Sequence, residues 1–372
     1  MWVEPALLRK LGQQLCAGTE GGGQDIFCTE RIDGFYRLLP GCRCRCTIPY
    51  LPAVLYRILK AYARLTIRIF CRHVFVNRPQ WLHTEGPLLL AANHPNSFLD
   101  GMILTILLDR PLYSLARGDA FAHSSLRKLI DLFHLLPVYR SSEGAENLGQ
   151  NYSTFAACRE VFRRNGIVLI FSEGGCVNEW KLRPLRKGTA RLASYAWQEG
   201  IPLTVLPVSL NYSPFRNFGK NVWIRFGRPL DRATVELQPS EGLQFGEFNR
   251  QLHAQLNGLV WELDAQDREA LKERLSVPLP LPLRIALAPL ALAGTLLHAP
   301  LYFALKGFTA WRFNNDHFDS VMVALHLILY PLYLLLLAGM SLLWFPGWAA
   351  PAVFLLLPLT AWAAVQLKPQ TR

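Results

Sequence analysis

Charge is scarce in this 372-residue chain: Asp, Glu, Lys and Arg make up 18% of it, while 51% is hydrophobic. Soluble domains carry about 25% charged residues, so the apolar surplus needs lipid to face. Negative charge is the scarcer sign, with 27 Asp and Glu against 39 Lys and Arg, and the net charge of +12 suits nucleic acid or an anionic membrane as partner. Several catalytic signatures are absent. Without a G-x-S-x-G elbow, a G-x4-G-K-[ST] loop or an H-E-x-x-H pair, the chain lacks the simplest support for a serine hydrolase, a P-loop nucleotide hydrolase or a zinc peptidase. No C-x2-C pair occurs among the eight cysteines, five of which fall in the first 46 residues. Cys28, Cys42, Cys44 and Cys46 lack the spacing of zinc ligands, so no metal site is expected, and a chain of this size does not need a disulfide framework. No basic segment followed by an apolar one opens the chain, so no cleavable signal peptide is indicated.

What is abundant is uncharged sequence near the end. Residues 285–305 contain no Asp, Glu, Lys or Arg, and neither do residues 321–367. The second run is long enough for two membrane spans turning at Pro346-Gly347-Trp348, at about 20 residues per span. The first is interrupted by Pro289, Gly294, His298 and Pro300 and reads as an interfacial or re-entrant segment. Two spans return Lys368 and Arg372 to the side of the preceding domain, which the positive-inside rule makes the cytoplasmic side. The expected setting is an integral protein of the cell (inner) membrane with membrane lipids, and no nucleic acid, as partners.

Four regions follow. Residues 1–50 have a Gly-rich run and no sustained period, as in a disordered extension. Residues 51–76 have a helical pattern that puts Arg57, Lys60, Arg64, Arg68 and Arg72 on one face, suited to an anionic bilayer surface or to solvent. Residues 77–275 alternate short strands with helices, which predicts an α/β fold with a mostly parallel sheet flanked by helices. Strands are expected at 88–92, 167–171, 204–210 and 222–226, and helices at 97–108, 124–135, 145–164, 188–199 and 245–275. Residues 276–372 form a membrane-embedded region of two to three hydrophobic helices.

The stretch "PLLLAANHPNSFLDGMILTILL" from Pro87 carries the most chemistry. Leu88–Ala92 is a buried-strand run, and Pro95 keeps His94 in a loop before a helix with Asp100 in its first turn. A binding crevice is expected at the carboxyl end of such a strand. His94 could then act as a general base, with Asp100 fixing its tautomer and stabilising the imidazolium. The alternative is that Ser97-Phe98-Leu99-Asp100 is only a capping box. In "VLIFSEGG", Glu173 and Gly174 occupy the next loop of the same edge, where Glu173 could hold acceptor hydroxyls and glycine would allow close approach to the backbone. "KLRPLRKG" adds Lys181, Arg183, Arg186 and Lys187. Cys176 reads as a small packed residue rather than a nucleophile.

Four blocks in order, "NHPNSFLD" (93–100), "LPVYR" (136–140), "IFSEGG" (170–175) and "IPLTVLPVSL" (201–210), resemble those of the glycerophospholipid acyltransferases, over residues 74–230. The family's first block usually has four residues between His and Asp and this chain has five. Ser172, Gly175 and Cys176 replace the Pro, Thr and Arg of its third block. The resemblance implies transfer of a fatty acyl group from acyl-CoA or acyl-ACP to a hydroxyl of lysophosphatidate. It implies His94 and Asp100 as catalytic residues, and Arg140, Glu173 and Gly174 as acceptor- or phosphate-binding residues; the phosphate contact expected in its third block is missing at Cys176, and Arg186 and Lys187 of "KLRPLRKG" are the candidates for it. No cofactor beyond the acyl thioester is implied, and acyl carrier protein is a candidate partner. Glycerol 3-phosphate as acceptor, or a catalytically silent lipid-binding protein, are the alternatives.

Overall fold

The computed structural model describes residues 27–32, 35–43, 50–118, 130, 132–139, 150–233, 235 and 240–370. The chain divides into two units, residues 1–57 and 58–372. In the first, β1 (Phe27–Ile32) and β2 (Phe35–Arg43) pair as an antiparallel hairpin within the region expected to be disordered. Cys44 and Cys46 lie outside the described residues.

The second unit is organised by a seven-stranded sheet. Its strands are β3 (Cys71–Val76), β4 (Leu88–Ala92), β5 (Leu112–Arg117), β6 (Leu135–Val138), β7 (Ile167–Phe171), β8 (Thr204–Tyr212) and β9 (Lys220–Phe226), in the spatial order β3-β9-β8-β4-β7-β5-β6. All neighbours are parallel except β8 and β9. The central strand β4 is buried at all five positions, because a parallel strand between two layers of helices has no wet face. Leu89 and Ala91 face a core built with α3 (Gln150–Arg163), α4 (Gly188–Gln198) and α5 (Glu241–Leu259). Leu88, Leu90 and Ala92 face the opposite core, with α1 (Tyr50–Phe70) and α2 (Phe98–Leu107).

Three expectations change. The basic segment 51–76 is not one helix: α1 ends at Phe70, and "CRHVFV", rich in β-branched and aromatic residues, joins β9 as an edge strand. Arg72 therefore leaves the basic face and donates to the Val365 and Lys368 carbonyls at 3.3 and 2.6 Å. Lys60 and Arg64 donate to the carbonyls of Leu108 and Ile106, where α2 ends, so two more of the five cations satisfy a helix C-terminus. The helix expected at 124–135 gives way at its end to β6; residues 124–129 lie outside the described residues. The helix expected over 245–275 is two, α5 and α6 (Arg268–Leu275), because Asp264 accepts from the Gln266 N–H and Asp267 caps α6 through the Ala270 N–H.

The C-terminal region holds α7 (Leu281–Arg312), α8 (Phe318–Ser341) and α9 (Ala349–Leu367), each long and apolar enough to cross a membrane by length and composition. The first hydrophobic run is continuous helix despite Pro289 and Pro300. Both ends of α7 are tied to the seven-stranded sheet and its loops. Before it, the Leu275 carbonyl accepts from Asn221 of β9; after it, Asp316 accepts from the backbone and side chain of Asn178.

The crossing of α7 and α9 depends on Gly294, where a Cβ would collide with the Thr360 carbonyl. Gly294→Ala is expected to force the helices apart and to cost about 1–3 kcal/mol, as overpacking does. Gly307→Ala, in open space on the same helix, is expected to be neutral or stabilising by up to about 1 kcal/mol. Thermal unfolding in one detergent compares them.

Candidate active site

The site lies where the chain changes sides of the sheet. Pairing of β4 with β7 is in register from Leu88–Ile167 to Ala92–Phe171, so the loops after both strands emerge side by side. From β4 the chain enters α2 on one face, and from β7 it enters α4 on the other. This is the switch point at which open α/β sheets leave a crevice. Asn93 extends the β4–β8 ladder by one step: its side chain donates to the Leu210 carbonyl and accepts from the Leu210 N–H, at 3.1 and 2.8 Å. The Ser172 N–H donates to the Ala92 carbonyl at 2.8 Å, which closes the loops on the other side.

His94 follows this anchor. Its Nδ1 lies 2.9 Å from Asp100 Oδ2, and its ring stacks on Phe171 with centroids 3.7 Å apart. The side chain is 15% exposed, while Asp100 is fully buried. Five intervening residues are therefore compatible with direct pairing. The loop turns at Ser97, whose φ of +50° is uncommon outside glycine and needs support from its surroundings. Asp100 Oδ2 also accepts from the Asn96 N–H at 2.8 Å, and Oδ1 accepts from the Tyr212 hydroxyl at 2.7 Å. Burial, then the charge of Asp100, pushes the Tyr212 phenol up, so it stays a donor. Ser97 caps α2 without a side-chain hydrogen bond, and its own N–H donates to Cys176 Sγ. The contacts that define a capping box are thus missing, and Asp100 is committed to the loop and the imidazole.

Glu173 is buried beside this pair. Its two oxygens accept from the backbone N–H groups of His94 and Arg183, at 2.7 and 2.8 Å. Burial pushes its carboxyl above the ordinary range, and these two donors pull it back. Glu173 thus ties the His94 loop to the segment carrying the basic residues. Gly174 has a φ of +67°, and a Cβ there would stand 2.8 Å from Arg186 Cγ. Arg186 and Lys187 are exposed at the start of α4, where a helix N-terminus favours anions. Arg140 lies outside the described residues. Burial and the neighbouring Asp100 push the Cys176 thiol up, away from nucleophilic thiolate chemistry. Among the described residues no group of three or more His, Cys, Asp or Glu could hold a metal ion.

Tyr212, Asn96 and the start of α8 belong to this site and escape sequence reading. Tyr212 ends β8 two residues past the fourth block. Asp319, with Asp316, stands at the edge of a long uncharged run, a signal that reads as a helix boundary.

Two substitutions test the scaffold. Glu173→Gln turns an NH2 group towards a backbone N–H that now has an acceptor, and is expected to cost about 1–3 kcal/mol. Tyr212→Phe removes one of three donors to Asp100, with a stability loss of similar size, about 1–3 kcal/mol. Catalytic activity should fall less in Tyr212→Phe than in Asp100→Asn, which alters the partner of the imidazole itself. Thermal melts and initial rates of the three variants settle the order.

Among solved structures, the chain is similar to the 1-acyl-sn-glycerophosphate acyltransferase PlsC of Thermotoga maritima. Identity is 14% and the TM-score 0.40, over 55% of this chain and 78% of that one. No curated protein matches. The acyltransferase family model matches residues 73–211, which hold all four motif blocks and the His94–Asp100 pair. Residues 73–211 are thus an acyltransferase domain, and the protein is an O-acyltransferase.

Proposed function

We propose that the protein transfers a fatty acyl group from the thioester of coenzyme A or acyl carrier protein to the free hydroxyl of lysophosphatidate. The observation that carries this reading is the contact of His94 Nδ1 with the buried Asp100 carboxylate in the crevice. With Nδ1–H given to Asp100, Nε2 keeps its lone pair and removes the proton of the acceptor hydroxyl as the oxygen attacks the thioester carbonyl. Collapse of the tetrahedral intermediate expels the thiolate, which takes that proton back from the imidazolium. No acyl-enzyme forms, so Cys176 has no covalent role. The acceptor phosphate is bound by Arg140, Arg186 and Lys187, and Gly174 lets it approach the backbone.

The membrane arrangement follows from connectivity. A spanning helix ends on the opposite side from where it began, whereas α7 is bound to the catalytic domain at both ends. It therefore lies along the membrane surface, and α8 and α9 form a spanning hairpin. Their 24 and 19 residues reach about 36 and 28 Å, which suits a hydrocarbon core of about 30 Å. The turn between them exposes Trp344, Phe345 and Trp348, side chains favoured at the far interface. In this proposal the acyltransferase domain lies on the cytoplasmic side of the cell membrane, as the positive-inside rule favours for Lys368 and Arg372.

Purified protein should form phosphatidate from lysophosphatidate and acyl-CoA or acyl-ACP, and His94→Ala should lower the rate by about 10²–10⁴-fold while the fold is kept. Wild-type turnover by a folded His94→Ala enzyme would sink the mechanism; product only from glycerol 3-phosphate would reassign the acceptor. For the topology, a protease site inserted at Gly347 should be cut only from the far face of the membrane, and a tag after Arg372 only from the cytoplasmic face.

A further inference from the structure

We infer that Asp319, in the first turn of α8, is a positioning residue for the catalytic loop: held by Lys220, it fixes Asn96, whose backbone N–H keeps Asp100 in line with His94. The inference rests on the His94–Asp100 reading of the site. Asn96 Nδ2 donates to Asp319 Oδ2 at 3.0 Å, and the same oxygen pairs with the Lys220 ammonium. Both partners are almost wholly out of water, with Lys220 at 0% and Asp319 at 3% side-chain exposure. A buried ion pair contributes little net stability, since removing both charges from water costs about as much as their attraction returns. Burial pushes the Lys220 ammonium down to about 7, so this site is a costly place for a cation. What the pair adds is a fixed acceptor beneath a fully buried Asn96.

Neighbouring contacts point the same way. Ser320 Oγ accepts from the Leu99 N–H at 3.0 Å and donates to the Asn96 carbonyl at 2.9 Å. His317 Nδ1 is 2.7 Å from Ser97 Oγ, at the residue with positive φ. Asp316 receives the Asn178 N–H, which brings the loop after β7 onto the same short segment. The His94 loop is therefore held by the sheet on one side and by the start of a membrane helix on the other.

The test uses full-length protein in micelles, with an acyl-CoA and lysophosphatidate as probes and rates normalised to folded protein. The double variant Asp319→Leu/Lys220→Met removes both charges without leaving either unpaired, so it should fold, with a melt lowered only by the Asn96 amide that loses its acceptor. Its kcat should fall on the order of 10–100-fold, as for a misplaced catalytic group, with both KM values within about twofold. Asp319→Asn/Lys220→Gln is neutral too but keeps an oxygen that can accept from Asn96, and should recover most of the lost kcat. Wild-type kcat in the leucine/methionine variant would overturn the inference, since the pair would then be structural only. So would failure of the asparagine/glutamine variant, when folded, to recover kcat. His94→Ala separates the two levels. Activity surviving there overturns the site reading and the inference with it; activity lost there but intact in the leucine/methionine variant overturns the positioning role alone.

Discussion

A single buried carboxylate sets the terms for the catalytic end of this molecule. Asp100 has no exposed surface and accepts from three donors, His94 Nδ1, the Asn96 N–H and the Tyr212 hydroxyl. Leaving a polar group at that depth without partners is costly. Each donor therefore offsets the cost of burying the carboxylate, and the three come from two pieces of chain: His94 and Asn96 from the loop after β4, and Tyr212 from the end of β8. The same three contacts that satisfy the charge also determine where the imidazole points.

Glu173 has a complementary role at the end of the neighbouring strand. Its oxygens accept from the N–H groups of His94 and Arg183, so the histidine is fixed through its backbone by one carboxylate and through its ring by another. The two loops could not meet in this way unless β4 and β7 ended at the same level, which their in-register pairing ensures. Sheet register, rather than any property of the motif residues, is thus what converts two separated sequence blocks into one crevice.

This division also explains what could be read from the sequence. The strands at 88–92 and 167–171 fall where they are expected, because a parallel strand buried on both faces has to be a short unbroken apolar run. β3, β5 and β6 lie towards the edges, with mixed burial, and their patterns merge with the neighbouring helices. His94 and Asp100 announce themselves by residue type and by their place after a strand. Glu173 is legible as a member of the site, but its two backbone donors are not, since Arg183 sits ten residues away across an irregular segment. Tyr212 and Asp319 carry no local signal of a site: they are 112 and 219 residues beyond Asp100, and only tertiary packing brings them near.

The three long apolar helices are attached at the edge of the sheet that carries the candidate site. α7 begins beside β9 and ends beside the loop after β7, and α8 starts against the His94 loop. The exposed side of α7 carries Leu292, Leu296, Phe303 and Trp311, apolar side chains with no reason to face water. If that side lies in the lipid surface, the crevice opens at the depth where a lysolipid presents its head group and where a fatty acyl chain can remain in hydrocarbon. The acceptor then need not leave the bilayer to reach His94, and the cost of moving a long acyl chain through water, about 0.8 kcal/mol per CH2, is avoided. On that reading, the scarcity of charge in the sequence and the placement of the His94 loop would be two consequences of one requirement, that a lipid acceptor and the enzyme share the same apolar phase.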